Sequence, residues 1–304
     1  MFKNYPLVLA TALLLSFAQN SLAQGCSDAG VCTLNSFKPD AAANAPAKAS
    51  QLKIGGSFGG ADYSISVAGG YLEYNRQLGD KFSLDAKLTA MGQQGNDISA
   101  FGLSDLFLNA NLNANSRLRF TLGAKIPLTD GNATQDNLPL PMDYQSSLGT
   151  FDLIAGAGYD IGNLQLVLAL QQPLTQNKNA FFADDYPAGS PLRDFQTTNK
   201  FQRGGDVLLR VSYPFHLGQK ITLTPSLLPI YHLANDQYTD RQGAEQEIEG
   251  SQGLTLNGNL YFDYALNENS ALQLNAGLPF VVRDARPDGL TRSFVANLEY
   301  RFKF

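Results

Sequence analysis

Gly55–Gly59 is the segment whose residue types and spacing most suggest catalysis. It reads Gly-Gly-Ser-Phe-Gly and matches the G-x-S-x-G pattern, in which a sharp turn between a strand and a helix exposes a nucleophilic serine. Here the alternating run from Tyr63 to Val67 follows, with no helical period. We therefore expect Ser57 to be an ordinary residue at a strand end, and we predict no catalytic residue and no enzyme activity.

The two histidines, His216 and His232, could in principle serve as general bases. A lipid hydrolase built on a barrel would carry a serine two positions after its histidine, but Gly218 and Ala234 occupy those positions. We expect His216 to lie beside a short turn and His232 to be solvated or to line an interior.

A metal site is the third possibility, because Asp130, Asn132, Thr134 and Asp136 offer oxygen ligands at alternate positions. A calcium loop of the EF-hand kind would also have a turn glycine and a closing glutamate, where this chain has Gln135 and Pro141. We predict no metal site and no cofactor.

The N-terminus has the features of an export signal. Residues 1–23 contain Lys3, an apolar stretch and the small residues before a cleavage position after Ala23, as in a secretory signal peptide. In an exported chain, Cys26 and Cys32 are expected to form a small disulfide loop. Residues 24–50 are expected to form a periplasmic segment that ends in a flexible tether, with a plug that enters a pore as the open alternative.

Composition favours an all-β protein. The chain has 304 residues with 28 Gly, 14 Pro, 19 Phe and 13 Tyr, which suits many turns and short strands. After the N-terminus it lacks an apolar run long enough for a membrane-spanning helix. A net charge of −5 provides no basic field for phosphates, so nucleic acid is not expected as a partner.

From residue 51 to residue 304, one pattern repeats: about ten residues alternate between apolar and polar, and turn residues follow. We count twelve such runs, centred near Ile54, Val67, Ala86, Leu108, Leu122, Ala155, Leu168, Leu209, Leu227, Leu260, Ala276 and Leu298. Short turns alternate with mostly longer loops, among them 91–99, 129–147, 175–205, 235–252 and 283–289. This organisation predicts a transmembrane antiparallel β-barrel of about 12 strands, with short periplasmic turns and long extracellular loops.

The polar residues within the runs distinguish a barrel from a soluble sandwich. Charged side chains share the polar parity, whereas the other parity is continuously apolar, which fits lipid outside and a polar interior. The predicted pore-lining residues are Asp85, Lys87, Arg119, Lys125, Asp152, Arg210, Asp263, Glu299 and Arg301. A lining with both signs of charge would favour neutral or zwitterionic solutes.

The end of the chain resembles that of Gram-negative outer-membrane β-barrel proteins. Leu298, Tyr300, Phe302 and the terminal Phe304 alternate on one face. In that group, such an ending is the signal read by the barrel-assembly machinery. The resemblance implies export to the outer membrane, where the partners would be membrane lipid and, during biogenesis, that machinery.

Four runs carry a proline near the expected long-loop rim: Pro127, Pro173, Pro229 and Pro279. Proline cannot donate to the ladder, so each predicts a kink, a bulge or the end of a strand, and a wall weakness for sideways exit of an apolar solute is the alternative. A register-shifting bulge is expected near Pro225 and Pro229. The recurring apolar-Pro-apolar element is similar to that of the meta-pathway phenol-degradation family of outer-membrane transporters, which implies uptake of small, apolar or aromatic molecules.

The sequence thus predicts a channel or facilitator for the passive passage of small solutes. Two alternatives stay open. One is a structural or adhesive barrel without an open pore, and the other is a barrel enzyme that acts on lipid.

Overall fold

The computed structural model describes residues 33–39, 50–289 and 293–304. Among these residues, no helix is both long and apolar enough to cross a membrane. The predicted signal peptide and both cysteines lie outside the described residues. Of the expected periplasmic segment over residues 24–50, only residues 33–39 and Ser50 are described.

Twelve strands form the main sheet, and their alternating sequence explains why each is extended. They are β1 (Ser50–Gly60), β2 (Ser66–Leu78), β3 (Phe82–Gly95), β4 (Ile98–Asn113), β5 (Leu118–Pro127), β6 (Asp152–Ile161), β7 (Leu164–Pro173), β8 (Asp206–Ser212, continued by Phe215–Leu217), β9 (Ile221–His232), β10 (Gly253–Ala265), β11 (Ser270–Val281) and β12 (Phe294–Lys303). Every predicted run centre falls inside its strand.

The sheet closes on itself. Each strand pairs antiparallel with its sequence neighbours, and β1 pairs with β12, where Gln51 is opposite Lys303 and Gly60 is opposite Phe294. Ser50 and Phe304 exchange backbone hydrogen bonds at the short-turn rim, where β1 begins and β12 ends. The predicted all-β, twelve-stranded antiparallel barrel is confirmed, and closure leaves no unpaired strand edge to face hydrocarbon.

The outer surface is a continuous band of apolar side chains. Ile54, Leu122 and Leu298 are 55%, 60% and 56% exposed, and each stands next to a polar residue that points inward. Such exposure would be costly in water over so large an area, whereas lipid chains solvate it. The fold is therefore that of an outer-membrane β-barrel.

The two rims differ in the length of their connections. One rim carries only short turns, such as Gly162-Asn163 between β6 and β7, where Gly162 adopts φ +60°. The opposite rim carries the long loops 128–151, 174–205 and 233–252. The long loop expected at 91–99 is wrong, because β3 continues to Gly95 and β4 begins at Ile98. Asn96 and Asp97 form a two-residue turn with positive φ, as tight hairpins require.

The prolines act in two ways. Pro127 and Pro173 are the last residues of β5 and β7, so they end strands. Pro279 lies inside β11, beside a register shift against β10 between Leu256 and Asn257. The expected register shift near Pro225 and Pro229 is wrong, since β9 keeps one register with both neighbours; its pairing with β8 instead has a gap beside Pro229, which has no N–H to donate.

Several connections at the long-loop rim pack on one another over the barrel mouth. Their shared apolar cluster includes Ile65, Met91, Tyr144, Phe181 and Phe195. Tyr144 donates from its hydroxyl to the Gly95 carbonyl oxygen at 2.9 Å, which joins the 128–151 loop to the β3–β4 turn. These connections form a packed cap on that rim.

Candidate functional site

The barrel interior is the candidate site, because every residue predicted to line a pore lies on its wall. Eight of these nine side chains are buried, and Arg119 is half-buried near the short-turn rim, where it pairs with Asp160 at 3.4 Å. The period of two along each strand turns these residues inward and their apolar neighbours outward. Their role in a pore stays a prediction.

Lys125 and Asp152 form the most deeply buried pair. They are register partners on β5 and β6, their Nζ and Oδ2 atoms are 3.0 Å apart, and both side chains are 0% exposed. Thr150 donates to Asp152 Oδ1 at 2.6 Å, and Gln171 donates to Oδ2. The carboxylate is therefore bonded on both oxygens.

Three charged residues form a second cluster near the short-turn rim. Arg301 lies 3.2 Å from Asp263 Oδ1, and its Nε bonds Glu299. Gln273 donates to Asp263 at 2.9 Å. Two carboxylates thus share one guanidinium, and Lys38 supplies a further positive charge 3.1 Å from Glu299.

The remaining predicted lining residues bond neutral partners. Asp85 accepts from the side-chain amides of Asn75 and Asn111. The Lys87 ammonium lies 4.0 Å from the centre of the Tyr71 ring, and Arg210 bonds the Tyr261 hydroxyl. Each of these three charged residues therefore has a partner on the wall.

Sequence analysis missed four inward residues: Lys53, Tyr71, Glu73 and Asp105. Lys53 and Glu73 are 3% and 1% exposed, and they pair at 3.7 Å across β1 and β2. Each lies between two outward apolar residues, so the period of two would have identified them. Asp105 is harder to find because it lies at a register shift between β3 and β4, where Thr89 bonds its backbone.

Residues Thr33–Pro39, here called the inner segment, lie inside the barrel. Thr33 accepts from Lys87 Nζ at 3.0 Å, Asn35 accepts from Lys53 Nζ, and Lys38 donates to Tyr71 and Glu299. The segment is thus joined to three charged residues of the inner wall. Their position inside the barrel is that of the plug alternative, whereas residues 24–32 and 40–49 of the expected N-terminal segment lie outside the described residues.

Phe37 of the inner segment packs on an apolar part of the wall. We call this part the apolar wall, and its residues are Phe107, Ile154, Val167, Ala169, Leu208 and Leu228. A Cβ atom at position 156 would lie 2.4 Å from the Phe37 ring, so the absence of a side chain at Gly156 leaves the space that the ring fills. The interior therefore has an apolar side in addition to its charged side.

Six charged residues form a buried network at the long-loop rim, here called the rim network: Arg203, Asp206, His232, Asp236, Arg283 and Asp288. His232 is 1% exposed, and its Nδ1 and Nε2 lie 2.7 and 2.8 Å from Asp206 and Asp236. Two carboxylates on both ring nitrogens favour the imidazolium, which has two N–H donors. Sequence analysis expected His232 to be solvated or to line the interior; it is not solvated, and both ring nitrogens are bonded.

Arg203 and Arg283 tie the loops after β7 and β11 together through Asp288, and Arg283 also lies 3.8 Å from Asp236 in the loop after β9. Arg203 Nε and Arg283 Nη2 lie 3.2 and 2.9 Å from Asp288 Oδ2. Burial alone would raise the pKa of Asp288, but the two guanidinium groups outweigh burial and hold that pKa well below its usual range. The network thus fixes the loops after β7, β9 and β11 over the barrel mouth.

The other chemical candidates are not assembled into a site. Ser57 lies in the middle of β1, opposite Gly69 and Asn297, where the turn of a nucleophile elbow does not exist. His216 bonds Thr222 at 3.1 Å at the short-turn rim. Asn132 already accepts from the Ala180 N–H, and the described residues contain no group of His, Cys, Asp and Glu placed to hold a metal ion.

The predicted assembly residues lie together on the lipid-facing side of β12. Leu298, Tyr300, Phe302 and Phe304 are 39% to 56% exposed. The rings of Phe302 and Phe304 stack, with centroids 5.8 Å apart. Recognition by the assembly machinery stays a prediction.

Comparison with known proteins gives the fold. No protein-family model and no curated protein matches the sequence. Among solved structures, the COG4313 outer membrane channel from Pseudomonas putida F1 superposes with a TM-score of 0.62 at 15% identity, over 88% of this chain and 99% of that chain. The CymD monoaromatic hydrocarbon channel (TM-score 0.46, 9% identity, 94% and 95% of the two chains) and the KdgM porin (0.44, 9%, 84% and 99%) are more distant. This chain therefore shares the barrel fold of an outer-membrane channel.

Proposed function

We propose that this protein is an outer-membrane channel or facilitator for the passive passage of small solutes. The observation that carries the proposal is the closed barrel whose polar wall surrounds an interior that is partly occupied by the chain's own inner segment. The fold shared with the COG4313 outer membrane channel supports it. Export through a cleaved signal peptide, the outer-membrane location and contact with membrane lipid and the assembly machinery belong to the same proposal.

The preferred solutes are small and neutral. Lys125 pairs with Asp152, and Arg301 pairs with Asp263 and Glu299, so these side chains offer no free charge to an ion of either sign. The apolar wall adds contacts for an apolar or aromatic part of the solute. Beside these ion pairs, a charged solute would lose hydration without gaining a free counter-charge.

Passage requires the inner segment to move. Phe37 covers the apolar wall, and Lys38 bonds Glu299 and Tyr71 across the interior. Both contacts can be replaced by a solute and water without any change in the barrel backbone. The segment is thus a removable obstruction inside a rigid wall.

Planar bilayer conductance of the full chain tests this function. The double variant F37A/K38A should open more often than the wild type, because it loses the ring contact and the ion pair. K220A, in the short turn before β9, is the matched control and should conduct like the wild type. If neither the wild type nor F37A/K38A conducts, and proteoliposomes do not swell in any sugar or amino acid tried, the channel proposal fails.

A structural or adhesive barrel is the second candidate. The buried state of the interior side chains and the packed cap at the long-loop rim favour it. That candidate predicts no conductance even in the F37A/K38A variant.

A further inference from the structure

Four asparagines lie side by side on the inner wall of β10, β11 and β12. Asn275 is the register partner of Asn297, and Asn259 lies opposite Gly277, whose missing side chain leaves room for the Asn259 amide. Asn257 is two residues from Asn259 on the same face of β10. We call these four residues the amide patch.

Each amide of the patch has at least one buried atom without a hydrogen-bond partner. Asn257 is 1% exposed, and neither its Nδ2 nor its Oδ1 has a hydrogen-bond partner. Asn259 Nδ2, Asn275 Oδ1 and Asn297 Oδ1 are also buried and unbonded. A buried donor or acceptor in this state costs free energy unless water or a solute group bonds it.

The patch adjoins the apolar wall at one point. Asn257 is the register partner of Leu228, which is 0% exposed and belongs to the apolar cluster with Phe37 and Phe107. A small molecule at this boundary could place an apolar body against Leu228 and a polar group against Asn257. The patch itself contains no charged residue.

We propose that the amide patch is a binding site for a neutral solute that carries a hydroxyl or amide group on an apolar body. Asn257 provides a donor and an acceptor to that group, and the apolar wall receives the rest of the molecule in the place of Phe37. This inference rests on the proposed function, since it names the class of solute that the channel takes.

Neutral hydrogen-bonding groups suit the patch better than ions. An amide can donate to or accept from a hydroxyl, but a buried ion needs an opposite charge, and the carboxylates of Asp263 and Glu299 on the same strands are held by Arg301. A hydrocarbon with the same shape would leave the amides unbonded. The site should therefore distinguish an alcohol from its hydrocarbon counterpart.

Equilibrium dialysis of the full chain in detergent micelles tests this site, with protein-free micelles as the blank. Benzyl alcohol and toluene are the probes, because they differ by one hydroxyl group. The wild type should bind benzyl alcohol more tightly than toluene, and N257L should reduce that preference about tenfold, which is about 1.4 kcal/mol. N257T keeps a hydroxyl and should retain most of the preference.

Asn109 provides the matched control. It is an inward asparagine on β4, 4% exposed and also unbonded, but it stands outside the patch. N109L should keep the wild-type preference for benzyl alcohol. In addition, the side-chain amide resonances of ¹⁵N-asparagine-labelled protein should shift with benzyl alcohol for Asn257 and not for Asn109.

The outcomes separate this inference from the channel proposal. Equal binding of the two probes by the wild type, or an unchanged preference in N257L, overturns the amide site even if the protein conducts. Selective binding that N257L removes supports the site even if no conductance is found. If N257L does not fold, the asparagine resonances of the wild type decide: a missing shift at Asn257 overturns the site.

Discussion

Asp152 on β6 holds the ammonium group of its register partner Lys125 on β5 at 3.0 Å, with both side chains fully buried. Removing one charge leaves the other unpaired in the interior. We expect D152N to lower the free energy of unfolding by about 3–5 kcal/mol. Urea unfolding in micelles, followed by circular dichroism, measures this change.

The Arg119–Asp160 pair gives the control for that prediction. Arg119 Nη2 and Asp160 Oδ1 are 3.4 Å apart, and both side chains are partly exposed at the short-turn rim. D160N should therefore lower the free energy of unfolding by at most about 1 kcal/mol. The double variant K125M/D152L should recover much of the stability that D152N loses, because it buries no charge. Equal losses in D152N and D160N would contradict the argument.

The rim network should loosen in acid. Because Arg283 and Arg203 depress the pKa of Asp288 in the folded protein, the contribution of Asp288 is present above the unfolded carboxyl pKa of about 3.9. It is lost as the pH falls below that value through the folded pKa. Hydrogen exchange of the Ala285 N–H, which donates to the Gly250 carbonyl oxygen, should therefore lose protection in strong acid.

D288N separates this effect from general acid unfolding. The variant should show low protection at Ala285 already at neutral pH and a weaker further change in acid. Protection that is identical in wild type and D288N at neutral pH would show that Asp288 does not hold the loops.

The last strand should matter more for assembly in cells than for stability. F304A removes an exposed ring from the lipid face, so refolding into detergent should be nearly unchanged, while the amount of assembled barrel in cell membranes should fall severalfold. F280A on β11 removes a ring that is equally exposed, at 57% against 56% for Phe304. A similar loss of assembled protein in F280A would remove the special role of the chain end.

Pro279 is the proline best placed to weaken the wall, because it lies within β11 beside a register shift. If an apolar solute leaves sideways there, P279T should slow its release into lipid by restoring an N–H to the ladder, with conductance unchanged. P127T, at the end of β5, is the control and should have no effect. Unaltered release in P279T removes the sideways route.

The sequence by itself determined the strand number and the alternation of inward and outward residues along regular strands. These features are local: a period of two tells whether Leu298 or Glu299 faces inward, and turn residues show where a strand ends. Local pattern failed at Asn96 and Asp97, because polar residues in a tight turn look like the start of a long loop.

Only the tertiary structure decided which groups meet. Strand register and barrel closure bring Lys125 to Asp152 and Lys38 to Glu299. They also place the two carboxylates of Asp206 and Asp236 on His232. Lys38 and Glu299 are 261 residues apart in the chain. Alternation predicts which face of the sheet a residue occupies but not which residue it contacts. Such contacts therefore form only in the folded barrel.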